Sequence, residues 1–320
     1  MTPLSVWILN DGKIGDDVQC IAIAHALSTK VENRTISPRA FWASMAPWGP
    51  IDPADDPQKN SQSPLAGDAP DIIVASGRRA IPYGVAMKKN HGSRLVILKD
   101  PRMGRDLADF IWVPMHDHVE GDNVFATLTS PHALAAEISK ARDGVDGAIA
   151  KSPAPILGVV LGGPSGGAQY SNHAADNLAG RINLAMKDFE ALAVTPSRRT
   201  PPGFVTRLKS QIAGANRIFW SGAGDNPYVD ILARASSLIV AGDSHNMVSE
   251  ALSTGTGLYI WRPEGLAQKL DWFITQIEKS GHARRFSNDA EPFATLPIDA
   301  TAQIVEEIRK RFANPTNDRS

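Results

Sequence analysis

The sequence predicts an α/β chain of two doubly wound parallel-sheet domains, and three observations carry that expectation. The apolar segments are short and unbroken: Val6-Trp7-Ile8-Leu9, Ile72-Ile73-Val74-Ala75 and Leu95-Val96-Ile97-Leu98 show no polar alternation. Strands of that kind are covered on both faces. Longer helical stretches separate them, which is the alternation of a parallel sheet. The pattern then occurs a second time, after a segment, Asp143–Pro155, punctuated by Gly144, Gly147, Pro153 and Pro155. Each half is therefore expected to be Rossmann-like.

In chain order, strands are expected at 5–9, 31–36, 71–75, 95–98 and 110–113, with helices near 17–27, 78–89 and 132–142. The second half places strands at 156–161, 191–195, 217–220, 237–241 and 257–260, and helices at 172–187, 203–212, 226–235 and 246–254. A last helix, about 300–313, gathers Ile304, Ile308 and Phe312 on one face and is expected to dock. The domains are then 1–148 and 149–320. Segment 47–70 holds six prolines and four aspartates with few apolar residues. It reads as a mobile acidic surface insertion in the first domain.

The 320 residues include 33 basic and 34 acidic side chains, a net charge of −1. A duplex nucleic-acid binder needs a marked positive excess, so nucleic acid is not an expected partner. One cysteine, Cys20, excludes an intramolecular disulfide and a thiolate zinc site, and fits a reducing compartment. The start has no basic and apolar leader pattern, and no run of about 18 apolar residues exists to span a bilayer. A cytoplasmic protein is expected, with peripheral membrane contact left open.

Ligands of open parallel sheets bind beyond the carboxyl ends of strands, so the loops there carry the candidates. The first is Asn10-Asp11-Gly12-Lys13-Ile14-Gly15-Asp16-Asp17, followed by Gln19. It is a Gly-rich turn into a helix that can admit an anion or sugar, or be only a tight turn with dipole-favoured aspartates. Leu161-Gly162-Gly163-Pro164-Ser165-Gly166-Gly167 strips side chains from a strand end and exposes backbone N–H groups to a phosphate. It also satisfies the G-x-S-x-G hydrolase pattern with Ser165 as nucleophile, although the helix there should begin at the serine and is delayed to about Asn172. Two exits carry paired arginines, Arg78-Arg79 and Arg198-Arg199, whose forks suit phosphate or carboxylate; a salt bridge to a neighbouring loop is the plain alternative. Arg198 is favoured for an anion beside the glycine loop, with Ser197 next to it. Asp225, Asn226 and Ser244 precede helices, where N-capping explains much of their presence. Glu250 lies inside a helix, where a carboxylate can accept from vicinal ribose hydroxyls or simply be exposed. His116-Asp117-His118 alternates within a loop and does not favour a metal site. No cofactor is expected.

These segments together resemble the mitochondrial-fission ELM family of plants and bacteria. The likeness rests on Trp7 to Gly15 with Gln19, Ala75 to Pro82, Lys99-Asp100-Pro101-Arg102 and Pro114 to Asp117. It continues through Gly162 to Ser165, Ser197 to Pro202, Gly224 to Tyr228, and Asp243-Ser244 with Met247 to Ala251. One departure is Asp16, where the family usually has His or Asn. The resemblance implies a fold similar to GT-B glycosyltransferases, with two domains facing a cleft and a last helix packing back on the first. It further implies a nucleotide or nucleotide-sugar on the second domain and an acceptor of unassigned identity on the first.

Three functions of different classes follow. In the first, a metal-free glycosyl transfer, Gly162, Gly163, Ser165, Ser197, Arg198, Arg199, Asp225, Asn226, Ser244 and Glu250 hold the nucleotide. Asp11 or Asp16 accepts the proton, and Gly12, Gly15, Gln19, Arg78 and Arg79 form the acceptor or anion side. In the second, the chain is a non-catalytic scaffold or adaptor of the mitochondrial-fission type. A serine hydrolase using Ser165 is the third and least supported. Oligomeric state leaves no mark in the sequence.

Overall fold

The computed structural model describes residues 4–12, 14–47 and 49–313, with no side-chain description for 14–16. Contacts divide the chain into two units, Met1–Ala133 with Ala300–Ser320, and Leu134–Asp299.

In unit 1 the elements are β1 (Ser5–Asn10), α1 (Ile14–Leu27), β2 (Lys30–Thr35), α2 (Ala40–Met45), β3 (Ile72–Ser76), α3 (Ile81–His91), β4 (Arg94–Leu98), β5 (Phe110–Pro114) and β6 (Val124–Thr127). Six strands form one parallel sheet in the order β2-β1-β3-β4-β5-β6. Alternate residues of β1, β3, β4 and β5 serve opposite cores, which is why these strands read as unbroken apolar runs, whereas the edge strand β2 is polar and mostly exposed. Val6 and Ile8 pack with Ile23 of α1, while Trp7 and Leu9 pack with Tyr83 of α3. The strand order reverses between β1 and β3, where Leu9 pairs with Ala75, so the loops after both strands emerge side by side.

Unit 2 contains α4 (Ala135–Asp143), β7 (Ile156–Leu161), α5 (Asn172–Ala185), β8 (Ala191–Pro196), α6 (Pro202–Gln211), β9 (Arg217–Phe219), α7 (Tyr228–Arg234), β10 (Ser237–Ala241), α8 (His245–Leu252), β11 (Gly257–Trp261), α9 (Gln268–Lys279) and β12 (Arg284–Arg285). Its parallel sheet runs β12-β11-β10-β7-β8-β9, reversing between β7 and β10. Gly158 lets α7 close on this sheet: a Cβ there would lie 2.7 Å from Ile231 and 2.8 Å from Leu238.

The last helix, α10 (Ala300–Ala313), belongs to unit 1. Its buried Ala300, Ile304, Val305 and Ile308 join the core that α1 covers, and Arg309 donates to the Ala26 carbonyl at 2.9 Å. The amphipathic stripe therefore docks on the first sheet.

One boundary and one segment differ from the sequence expectation. The second unit begins at Leu134 rather than at 149, because α4 packs on α7. Arg142 donates to the Ala233 carbonyl at 3.3 Å, and Arg234 donates to the carbonyls of Ala141 and Gly144. Segment 47–70 is not a bare surface insertion either. Asp52 is 1% exposed and accepts from the Arg39 N–H (3.0 Å), Arg39 Nε (2.8 Å) and the Ala54 N–H (2.9 Å). Tyr83 donates to Asp55 at 2.5 Å, Arg34 donates to the carbonyls of Pro64 and Ala66, and Leu65 enters the core beside Trp7. A proline- and aspartate-rich loop is thus anchored by the few buried groups it has.

Candidate functional site

In unit 2 the reversal of strand order brings the exits of β7 and β10 together, since Val160 pairs with Val240. Open sheets bind ligands at such a point. Gly162 and Gly163 follow β7, and Asp243 follows β10 with its side chain fully buried. A Cβ on Gly162 would overlap the Asp243 carboxylate, so glycine is required for the two exits to meet. Asp243 accepts from the Gly163 N–H at 2.9 Å and from the Tyr170 hydroxyl at 2.5 Å, with Arg199 Nη2 at 3.7 Å. Burial pushes its pKa up, against the opposing effect of those three neighbours.

One expectation changes here. The Gly163 N–H is not open to a phosphate; it already serves a carboxylate. The arginine beside the glycine loop is Arg199, whose carbonyl a Cβ on Gly163 would approach to 2.5 Å. Arg198 instead lines a pocket of about 880 Å³ with Lys209, Phe219 and Trp220. Ser197 braces the loop: its Oγ donates to the Gly162 carbonyl at 2.8 Å, alongside Thr200 Oγ1.

Past the glycines, Gly166 and Gly167 take left-handed φ of 59° and 98°, and α5 starts only at Asn172, capped by Ser171. The connection is too long for a nucleophile elbow, and among the described residues no hydrogen bond joins Ser165 to a histidine.

Further along, Glu250 stands on α8, whose N-cap is Ser244. Tyr228, the first residue of α7, donates its hydroxyl to Glu250 Oε2. Burial raises the Glu250 pKa to about 7, with the Tyr228 bond pulling the other way. Asn226 is a turn residue, with Oδ1 accepting from Thr195 Oγ1 (2.9 Å) and the Tyr228 N–H (3.0 Å). Asp225 is exposed.

In unit 1 the Asp11 carboxylate sits on the face of Gly77 (φ 88°), where a Cβ would lie 2.6–2.8 Å from it. Asp11, Ala43, Arg78 and Arg79 line a pocket of about 240 Å³. Gly12 (φ 81°) donates its N–H to Asn10 Oδ1 at 3.1 Å. Gln19 is buried, and Arg79 is exposed. Arg78 is fixed by the carbonyls of Ser44 (2.6 Å) and Ala46. The side chain of Asp16 and the surroundings of Gly15 lie outside the described residues.

The sequence profile described as mitochondrial fission ELM1 matches residues 14–312. The chain belongs to that family. A curated relative, the mitochondrial fission protein ELM1 of Arabidopsis thaliana, is 22% identical over 276 residues, covering 77% of this chain. The match spans 65% of that relative's length. Among solved structures, UDP-GlcNAc 2-epimerase from Methanocaldococcus jannaschii aligns with a TM-score of 0.60 at 11% identity, covering 97% of this chain and 99% of its own. Acinetobacter baumannii MurG gives 0.50 at 12%, covering 96% and 100%. At such identities the likeness is one of fold, and the ELM1-family chain has the GT-B fold.

Three side chains of this ELM1-family chain take part in the site without being singled out from sequence: Tyr170, Tyr228 and Asp243. Asp243 and Tyr228 stand inside the strand-exit segments that carry the family likeness, which is a usable signal. Tyr170 has none, because its partner lies 73 positions away. Among the described residues no group of three or more His, Cys, Asp or Glu is arranged to hold a metal ion. No helix among them is long and apolar enough to cross a membrane.

Proposed function

We propose that unit 2 of this ELM1-family chain binds a nucleotide-sugar, a uridine diphosphate sugar being the first candidate. The observation that carries this is Glu250, a carboxylate oriented by Tyr228 on the helix that leaves the strand-order reversal. On this reading it would accept from the ribose hydroxyls. The N-terminus of α8 with Ser244, Arg199 and the outer glycines would take the diphosphate. Support for uridine comes from the UDP-GlcNAc 2-epimerase that shares the fold.

A transfer reaction would break the bond from the sugar's anomeric carbon to the diphosphate oxygen and form one to an acceptor oxygen. Arg199 would stabilise the leaving diphosphate, and Asp11 would take the acceptor's proton. Arg78 and Arg79 would serve the acceptor side. The cytoplasmic setting belongs to the same proposal and rests on the low cysteine content.

A second reading, the non-catalytic scaffold, is favoured by one observation: Asp243 occupies the Gly163 N–H that a phosphate would otherwise use. Calorimetry with uridine, guanosine and adenosine diphosphates and their sugars tests the proposal. Expected is binding of one series, weakened roughly ten- to a hundred-fold in Glu250→Ala. Absence of binding across the panel would overturn it, and binding without sugar release would favour the scaffold.

A further inference from the structure

We propose that unit 2 has a second small-molecule site, for an aromatic ring carrying a carboxylate or phosphate, in the groove between α6 and the edge strand β9. The groove, of about 880 Å³, falls within the ~300–1,000 Å³ usual for small-molecule pockets. β9 ends the sheet, and β8 separates it from the strand-order reversal of β7 and β10. Glu250, Ser244, Arg199 and the glycines after β7 are not among the residues that line the groove.

Its cations are Arg198, at the exit of β8, and Lys209, in the last turn of α6. No acid lines it. Arg199, the neighbour of Arg198, has Asp243 at 3.7 Å, and Asp176 beside α6 is taken through both oxygens by Arg207, at 2.6 and 2.9 Å. Among the described residues neither Arg198 nor Lys209 is paired with an acid. The first turn of α6 carries no acid, so nothing there offsets a cation ahead of the helix N-terminus. An anion in the groove would, and the guanidinium fork suits carboxylate or phosphate.

The aromatic half comes from the end of β9. Trp220 donates its backbone N–H to the Val194 carbonyl at 3.0 Å and its indole N–H to the Ala223 carbonyl at 3.1 Å, which leaves the ring face for a ligand. A ring already fixed loses little freedom on binding. Phe219 precedes it, with Lys209 Nζ 5.9 Å from its ring centroid. Another wall is one face of α6, where Val205, Thr206 and Lys209 recur at helical spacing while Phe204 and Leu208 turn into the core. Charge alone would suit inorganic phosphate, and an apolar wall alone a neutral ring. The two together select an aryl anion.

The test is calorimetry on the full chain, without nucleotide, using naphthyl phosphate, naphthoate, naphthyl glucoside and inorganic phosphate. At least one aryl anion should bind, with the glucoside and inorganic phosphate about tenfold weaker or silent. The tighter aryl anion identifies the head group. No binding of either would overturn the site, and equal affinity for the glucoside or inorganic phosphate would overturn the ligand class. Arg198→Gln and Lys209→Gln change exposed side chains, so the melting temperature should hold while aryl-anion affinity falls about tenfold in each. Wild-type affinity in both would sink the proposal. Thr206→Phe, which fills the groove from an exposed helix position, should abolish binding with the fold intact; unchanged binding would put the ligand elsewhere. Uridine diphosphate should not displace the aryl anion, and displacement would refute a separate site. No nucleotide enters the binding measurements, so failure of the nucleotide proposal leaves their outcome unchanged.

Discussion

The Tyr228 hydroxyl donates to Oε2 of Glu250, joining the first turn of α7 to the middle of α8. Burial makes the Glu250 carboxyl hard to ionise, and the tyrosine lowers that cost only in part. The pair is poised to change charge near neutral pH.

Stability should record this. The folded-state pKa of Glu250 is raised from 4.5 to about 7, so the folded chain holds the proton more tightly than the unfolded one. That contribution is complete below pH 4.5 and is lost as pH rises to 7, amounting to about 3 kcal/mol. Glu250→Gln, which mimics the neutral acid, should gain on the wild type by that amount between pH 4.5 and 8 in urea denaturation. An equal gap at both ends would refute the titration.

Binding should run the opposite way with pH. A ribose hydroxyl donates better to a carboxylate than to a carboxylic acid. Affinity for a nucleotide-sugar, whose diphosphate does not titrate in this range, should rise as pH passes 7. The rise should vanish in Glu250→Gln, as calorimetry at pH 6 and 8 would reveal.

Gly162→Ala should destabilise unit 2 by about 1–3 kcal/mol, the usual cost of overfilling a packed site. Its methyl would overlap Asp243, which cannot retreat because Tyr170 and the Gly163 N–H hold it. Combining it with Asp243→Ala should cost less than the sum of the two single changes, since the second removes the obstacle. Strict additivity in a double-mutant cycle would show that the contact is not the cause.

Asp52→Asn should lower the melting temperature at pH 7. The Arg39 guanidinium holds the Asp52 carboxyl well below its ordinary value, so its stabilising effect is present above pH 3.8 and fades as pH falls. The difference between variant and wild type should shrink on going from pH 7 to pH 3. A loop free of the fold would give no difference at either pH.

Ser165→Ala should leave nucleotide affinity and melting temperature unchanged, and the wild type should not react with a fluorophosphonate probe. Labelling lost in Ser165→Ala would restore the hydrolase reading.

Much of this was legible in local sequence because local chemistry decides it. Val6 to Leu9 or Ile156 to Leu161, apolar at every position, have to be covered on both faces, and the stripe Ile304–Ile308 has to dock. Glycines and charges at the strand exits marked where ligands meet such sheets. Not every local signal was taken up: α9 buries Leu270, Phe273, Ile274 and Ile277 at helical spacing yet is absent from the sequence expectation. Strand order is a different matter. That β7 lies between β8 and β10, so that Gly162 meets Asp243, follows from crossovers packing whole helices across a sheet. Likewise Arg199 rather than Arg198 beside the glycine loop, Tyr228 on Glu250, and Asp52 gathering Arg39 are pairings of residues from separate elements. Each is fixed by burial that only the assembled core supplies, because a polar group taken from water must find its partner wherever the fold has brought one.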